Sequence, residues 1–277
     1  SLKNKAAEYM ENRKDNPQNQ PSYQSSIKEW GKDFMTALVS ILRIDIFFSQ
    51  FSIKKNEKEI SESQRAFPII GFLIGLLAAF VLWLFSSFGF SPAVCALFTI
   101  ATITIITGAK NESHLVSFFD GIFLEKEPGN KISLMKEKKI GLIGIMILIL
   151  VLGLKVSTLT SFGELKGAVL ALLASTTGSW GIFPTIRYYL KPSSLHPSKS
   201  IKPSEEIFYS SALLASALLL LMLGPVAGVF TIAIACATIY VICYILNTNL
   251  KGYTDEGLGA GQQVYEVILL LAAASSM

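Results

Sequence analysis

Between Ala66 and Phe88 the chain runs for 23 residues without a charged side chain. As a helix rising 1.5 Å per residue, that stretch is about 34 Å long, enough to cross a bilayer core of about 30 Å. Six more apolar segments follow: Pro92–Thr107, Ile140–Phe162, Leu165–Tyr189, Ile207–Leu223, Val226–Leu246 and Leu258–Ala274. Charged residues make up 16% of the 277-residue chain, against about 25% in soluble domains. That shortage argues against a soluble enzyme, a disordered chain and a disulfide-stapled secreted scaffold. The segments predict an all-α polytopic membrane bundle of about seven spans. Gly178, Gly181 and Pro184 should kink the fourth segment, and Gly224-Pro225 reads as a tight turn between the fifth and sixth.

Residues 1–27 are polar, rich in Asn, Gln, Lys and Ser, and read as a flexible tail. Residues 28–277 read as a single membrane-embedded domain. Trp30–Phe51 has helical apolar spacing interrupted by Asp33, Arg43 and Asp45, which suits an interfacial or re-entrant helix. The connections alternate sharply in charge. Residues 1–65, 108–139, 190–206 and 247–257 carry nearly all the Lys and Arg, whereas Gly89–Ser91, Gly163–Glu164 and Gly224-Pro225 carry none. The positive-inside rule therefore predicts a cytoplasmic N-terminus and a cytoplasmic basic face. Net charge is +4, too little to argue for nucleic acid. Cys95, Cys236 and Cys243 lie in apolar runs without metal or redox spacing and read as core residues.

The polar motifs gather on that basic face. On a helix, Ser113, Ser117 and Asp120 form one stripe, with Glu112 about 80° from Asp120 around the axis. Such a stripe suits a hydrated Mg²⁺ when its members are carboxylates, and it equally suits a solvated amphipathic helix. Glu137, Lys138 and Lys139 precede Gly141 and Gly144 at the start of a span, where lysines and helix N–H groups can receive phosphate or simply anchor the span. Asp255 and Glu256 sit in a Gly-rich turn before the last span, as ligand groups or as acids at a helix N-terminus. Charges near the bilayer midplane look nearly absent, which favours a site at the membrane face over a solute transporter. There is no P-loop, GxSxG or HExxH.

These pieces resemble the cobalamin-5′-phosphate synthase family, also called adenosylcobinamide-GDP ribazoletransferases. Phe67-Pro68-Ile-Ile-Gly71-Phe-Leu-Ile-Gly75 matches the family's F-P-x-x-G-x-x-x-G. Thr107-Gly108 and Asp120-Gly121 bracket its acidic motif, Met135-Lys136 to Gly144 matches its M-[KR]-D-S-R-x-G-x-x-G, and Gly252–Ala260 matches its G-x-T-G-D-x-L-G-A. The resemblance implies a multi-pass enzyme of the bacterial inner membrane, in cobalamin biosynthesis. It would join adenosylcobinamide-GDP to α-ribazole or its 5′-phosphate and release GMP, with Mg²⁺ as cofactor. By that likeness Asp120, Glu112 and Glu137 are the catalytic candidates, and Asp120 and Glu112 the metal ligands. Lys138, Lys139, Arg43, Asp255 and Glu256 are the substrate- or phosphate-binding candidates. The lipid bilayer is a further partner, and other cobalamin-pathway proteins or a second copy of the chain are open alternatives.

The sequence departs from the family pattern mildly where D-S-R becomes Glu137-Lys138-Lys139 and G-D becomes Asp255-Glu256, and more sharply at the acidic motif. The family's His falls on Asn111, and two of its Asp positions fall on Ser113 and Ser117. Replacing two carboxylates with hydroxyls weakens a hard-cation site. The alternative reading is therefore a catalytically impaired or inactive homologue that binds a corrinoid or a partner. A small-solute transporter is the more distant alternative.

Overall fold

The structure, a computed structural model, describes residues 23–42, 61–137, 140–195 and 202–276. These residues fold into helices: α1 (Tyr23–Ile41), α2 (Phe67–Ser87), α3 (Pro92–Ile106), α4 (Lys110–Leu124), α5 (Pro128–Lys136), α6 (Leu142–Thr160), α7 (Leu165–Trp180), α8 (Ile182–Tyr189), α9 (Glu205–Leu250) and α10 (Asp255–Ser276). Helix α1 begins at Tyr23, inside the stretch expected to be tail. The described residues hold one isolated bridge, Pro192 with Tyr253, and no strand. Pro68, Pro92 and Pro128 start α2, α3 and α5, where the missing N–H costs nothing. Ser204 caps α9, its hydroxyl accepting from the Ile207 N–H at 3.3 Å.

Among the described residues, five helical segments are long and apolar enough to cross a membrane, or six if α3 and α4, meeting at 89°, form one broken span. Helix α9, at 46 residues, would measure about 70 Å if straight, over twice a bilayer core. It is not straight. Gly224 has φ 79° and ψ 174°, outside helical values, just before Pro225. A Cβ placed on Gly228 would come within 3.0 Å of Leu220 Cα, whereas eight residues of straight helix separate such atoms by about 12 Å. The chain thus folds back as a helical hairpin, as the Gly224-Pro225 turn predicts. With its arms counted apart, every apolar segment of the sequence is a helix. The break expected near Gly178–Pro184 falls at Gly181, yet α7 and α8 still form one 25-residue candidate span.

Helices α7 and α10 are central. Their apolar windows are 83% and 78% buried, against 28% for α6 and for α9. The outer helices turn large apolar side chains outward: Leu77, Phe80 and Trp83 on α2, Met146 and Ile149 on α6, Val226 and Val241 on α9. In water this belt would be a severe liability, but against acyl chains it is the required surface. Helix α2 lies against α7 at backbone distance. A Cβ on Gly71 would sit 2.5 Å from the Thr176 carbonyl, and one on Gly75 would strike Thr176 Oγ1, the close approach that small-xxx-small faces permit. Buried hydroxyls of Thr99, Thr176, Thr177 and Thr158 bond back to carbonyls one turn earlier, so none is stranded in hydrocarbon.

The charged connections meet at one end of the bundle. Lys131 Nζ on α5 donates to Asn249 Oδ1 near the end of α9 at 2.8 Å. The 191–193 and 251–253 stretches are tied by Ser193 N–H to Tyr253 O at 2.9 Å and Tyr253 N–H to Lys191 O at 3.0 Å. Helix α1 is held through Asp33, whose Oδ2 lies 2.5 Å from Arg65 Nε. The Arg65 guanidinium also rests 4.5 Å from the centre of the Trp30 ring.

Helix α4 crosses this end almost at right angles to α3, because Gly108 and Ala109 both adopt positive φ (65° and 52°). It is clasped to α6 by Asp120, which is 3% exposed. The two carboxylate oxygens accept from the backbone N–H groups of Gly141 at 2.7 Å and Gly144 at 2.8 Å. An anion there also complements the N-terminus of α6. Both glycines are needed: a Cβ on Gly141 would sit 2.5 Å from Asp120 Oδ1, and one on Gly144 would strike the Val116 carbonyl. Asp120→Ala should strand two buried N–H groups and cost about 2–4 kcal/mol, and Gly144→Ala should push α4 off α6. Both losses are read as a lower thermal midpoint of detergent-purified protein; unchanged midpoints in both variants would refute the clasp.

Candidate functional site

At the end where the connections meet lies a cavity of about 120 Å³ whose wall mixes charged and aromatic side chains. Four parts of the chain wall it: Ser40 and Ile41 from α1; Thr107, Lys110, Asn111 and His114 from α4 and its approach; Trp180, Phe183 and Arg187 from α7 and α8; and Asp255 and Leu258 from α10, with Phe67 closing the side. Lys110 and Arg187 supply cationic groups, Asp255 a carboxylate and His114 an imidazole. The aromatic wall is packed: Trp180 stacks on Phe183 at 5.4 Å and Phe67 meets both edge-on. His114 reaches its place because residue 259 is glycine; a Cβ there would lie 2.5 Å from His114 Nδ1. A larger cavity of about 460 Å³ between the α9 arms, α7 and α10 is lined by apolar and small residues with no charged group, so it offers no comparable chemistry.

Several buried polar atoms on this side of the bundle have no hydrogen-bond partner among the described residues. They include Glu112 Oε2, Arg187 Nε, Tyr253 Oη and Glu256 Oε2. Arg187 leans its guanidinium toward Phe183 at 5.9 Å and makes no ion-pair contact among the described residues, with the Asp255 carboxylate in the same cavity wall. A buried polar atom left unpaired is costly; of these residues Arg187 lines the cavity, where a polar ligand would satisfy it.

The residues expected from sequence are distributed unevenly. Asp255 lines the cavity, and Glu256, half-buried, is beside it in sequence. Glu112, 5% exposed, accepts from Thr104 Oγ1 at 3.1 Å through Oε1. Asp120 is eight residues further along α4, about 12 Å down the axis, with both oxygens engaged by backbone. The structure therefore does not bring Glu112 and Asp120 together. The N–H groups of Gly141 and Gly144, expected to receive phosphate, receive Asp120 instead. Helix α4 is not a solvated amphipathic helix: Asn111, Glu112, Ser117 and Asp120 are all buried, and Ser113, exposed, departs from the stripe. Glu137 follows the last turn of α5. Arg43, Lys138 and Lys139 lie outside the described residues.

No group of three or more His, Cys, Asp or Glu that could hold a metal ion occurs among the described residues. The described acidic side chains do not fit a resident Mg²⁺ site, since Asp120 is committed to the α6 N-terminus and lies about 12 Å along α4 from Glu112. Lys110 and Asn111 are lining residues that the sequence reading does not single out, whereas Arg187, like Arg43, could be read there as a partner for phosphate. Arg187 had a signal, as a cation at the end of a kinked span; Asn111 had one only through its place in the acidic motif.

The larger correction concerns the membrane interior, where charge was expected to be nearly absent. Lys155 on α6 and Glu266 on α10, each 2% exposed, pair at 2.8 Å. Counted from the site ends of their helices they lie about 16–20 Å deep, near mid-bilayer. Lys155 Nζ also donates to Gln263 Oε1 at 2.8 Å. Gln263 Nε2 donates to Gln262 Oε1 at 3.0 Å, and Asn111 Nδ2 donates to the same oxygen at 3.1 Å. Gln262 Nε2 donates to Glu266 Oε2 at 2.7 Å and to Ser179 Oγ at 3.0 Å. This chain of bonds runs from the ion pair to the cavity wall.

Comparison with known proteins bears on the family of the chain. The family model described as cobalamin-5-phosphate synthase matches residues 33–274. A protein named adenosylcobinamide-GDP ribazoletransferase from Rhizobium etli is 28% identical over 260 residues, covering 91% of this chain and 99% of the relative. Proteins of the same name from Bradyrhizobium diazoefficiens and Mesorhizobium japonicum are 28% and 29% identical, covering 78% and 76% of this chain and 84% and 82% of theirs. No solved structure matches it. A match across nearly the whole bundle, from α1 to the last turns of α10, places the chain in the cobalamin-5-phosphate synthase family.

Proposed function

We propose that this membrane protein transfers the cobinamide phosphate of adenosylcobinamide-GDP to α-ribazole, or to its 5′-phosphate, and releases GMP. The observation that carries the reading is Arg187, whose buried Nε lacks an acceptor while its guanidinium shares the cavity wall with Lys110. A diphosphate is the acceptor such a pair of cations suits. The cavity has room for roughly ten waters at 10–15 Å³ each, which fits a diphosphate-sized group and leaves the corrinoid outside, at the membrane face. In the transfer, a hydroxyl oxygen of the ribazole forms a bond to the phosphorus that carries the cobinamide arm. The bond from that phosphorus to GMP breaks, and GMP takes the electron pair. Asp255, the carboxylate in the cavity lining, is the base proposed to take the hydroxyl proton; Glu112, bonded to Thr104, does not line the cavity and stays a candidate only through the family likeness. Lys110 and Arg187 neutralise the charge developing on the departing phosphate. Asp255 and Glu256 flank the substrate, Asp120 keeps α4 in place, and Glu137, Lys138, Lys139 and Arg43 remain proposed phosphate-side groups of the same face. Mg²⁺, if required, would enter on the substrate's own phosphates, because the described carboxylates do not form a cage for it.

A second reading rests on Ser113 and Ser117 and on the missing acidic cluster: a family member that binds its ligands without turning them over. One assay separates the two. Purified protein with adenosylcobinamide-GDP, α-ribazole and Mg²⁺ should release GMP, and Arg187→Met should lower kcat/KM by about a hundredfold. Binding of the cobinamide-GDP without GMP release by folded protein would establish the second reading. The reading also places the N-terminus and the cavity on the cytoplasmic side of a bacterial inner membrane, following the lysine-rich connections. In a background lacking Cys95, Cys236 and Cys243, Ser91→Cys and Gly163→Cys should react with an impermeant thiol reagent on intact cells. Lys126→Cys should react only after permeabilisation; the opposite pattern would invert the topology.

A further inference from the structure

The amide chain that starts at Lys155 has a direction, and that direction reaches the cavity. An amide can present either its oxygen or its NH₂ to a neighbour, so partners must choose. Lys155 can only donate, which obliges Gln263 to turn Oε1 toward it. Gln263 then has only its NH₂ for Gln262, which must answer with Oε1. Glu266, as a carboxylate, can only accept, and it independently draws the Gln262 NH₂ to its own side. Two opposite charges thus impose the same orientation on Gln262. Asn111 meets that same oxygen and must donate through Nδ2. Its Oδ1 is what remains, on a residue that lines the cavity, and it accepts no hydrogen bond from the described residues.

We infer that the buried Lys155–Glu266 pair is a positioning device that holds Asn111 as a hydrogen-bond acceptor toward the cavity, so that the ligand brings a hydroxyl donor there. Under the proposed function, on which this identity rests, the donor is a ribosyl hydroxyl lying beside the phosphates held by Lys110 and Arg187. Lys155 and Glu266 touch no substrate; they set which atom Asn111 offers.

The polarity can be inverted without changing the groups involved. In the charge-swapped protein, Lys155→Glu with Glu266→Lys, residue 155 accepts and residue 266 donates. Each amide then turns over, and Asn111 offers its NH₂ to the cavity. Asn111→Asp has opposite consequences in the two backgrounds. In the wild type it sets a carboxylate oxygen against Gln262 Oε1, and the thermal midpoint should fall by about 3 °C or more. In the swapped protein it accepts from the Gln262 NH₂ and still shows an oxygen to the cavity. There the midpoint should hold or rise. The KM for one of the two substrates, raised about tenfold by the swap, should recover, moving more than kcat does. Equal midpoint losses in both backgrounds would overturn the inference. So would a KM left unchanged by the swap, as a merely structural ion pair predicts.

Should the swapped protein not fold, the wild type still decides. Side-chain ¹⁵N resonances of Asn111, assigned by their loss in Asn111→Asp, should exchange slowly with D₂O if Nδ2 is bonded inward. Fast exchange would refute the orientation. Wild-type protein without turnover would end the ribosyl assignment but leave the stability comparison intact, so the two failures are distinguishable.

Discussion

Four helices of this protein contribute to one hydrogen-bonded network around Lys155 and Glu266, and their packing has to satisfy it. Asn111 comes from α4, Lys155 from α6, Ser179 from α7, and Gln262, Gln263 and Glu266 from α10. A charged or amide group without partners in hydrocarbon is expensive, and slipping any of these helices by one residue would leave several so. A buried ion pair contributes little net stability, because desolvation consumes much of its attraction. What it can supply is register. Helices α2 and α9, whose apolar surfaces are interchangeable against lipid, contribute no side chain to this network.

The same requirement accounts for where the glycines and the polar residues lie. Helices α7 and α10 sit inside the bundle and can carry Ser, Thr, Gln and Gly without exposing them to lipid. Gly71 and Gly75 let α2 reach the α7 backbone, and Gly259 lets His114 of α4 nestle against α10. Asp120 then completes the α4–α6 junction by occupying the α6 N-terminus. Short side chains bring the backbones together, and the polar groups are satisfied across the gaps so closed.

Function follows from position within this frame. The connections that carry the lysines come together at one end, and there the chain sets cations, a carboxylate and an imidazole around a small cavity walled by Trp180, Phe183 and Phe67. Mid-bilayer charge is commonly a mark of transport. Here the charges are enclosed by mutual hydrogen bonds, and their influence travels along the amides toward the cavity. The charge pair is therefore better understood as support for the site than as a second site.

Much of the fold was legible because the bilayer restricts the options. Uncharged runs of spanning length must be helices, and Gly224-Pro225 within an over-long apolar stretch marked the α9 hairpin. Alternating loop charge grouped the connections that meet in the folded chain. The family motifs directed attention to α4, α6 and α10, but not to the task of each residue. Asp120 read as a metal ligand and is held as a helix cap, because the distance between two segments 20 residues apart is invisible in one dimension. Lys155 is a lone charge in an apolar run, and nothing in a linear pattern shows that Glu266 lies opposite. By itself the sequence determined which segments enter the membrane, through apolar length and charge. Only the tertiary structure decided which polar groups meet there, because that depends on helix rotation and depth, and a partner's position is what turns a buried charge from a cost into a positioning device.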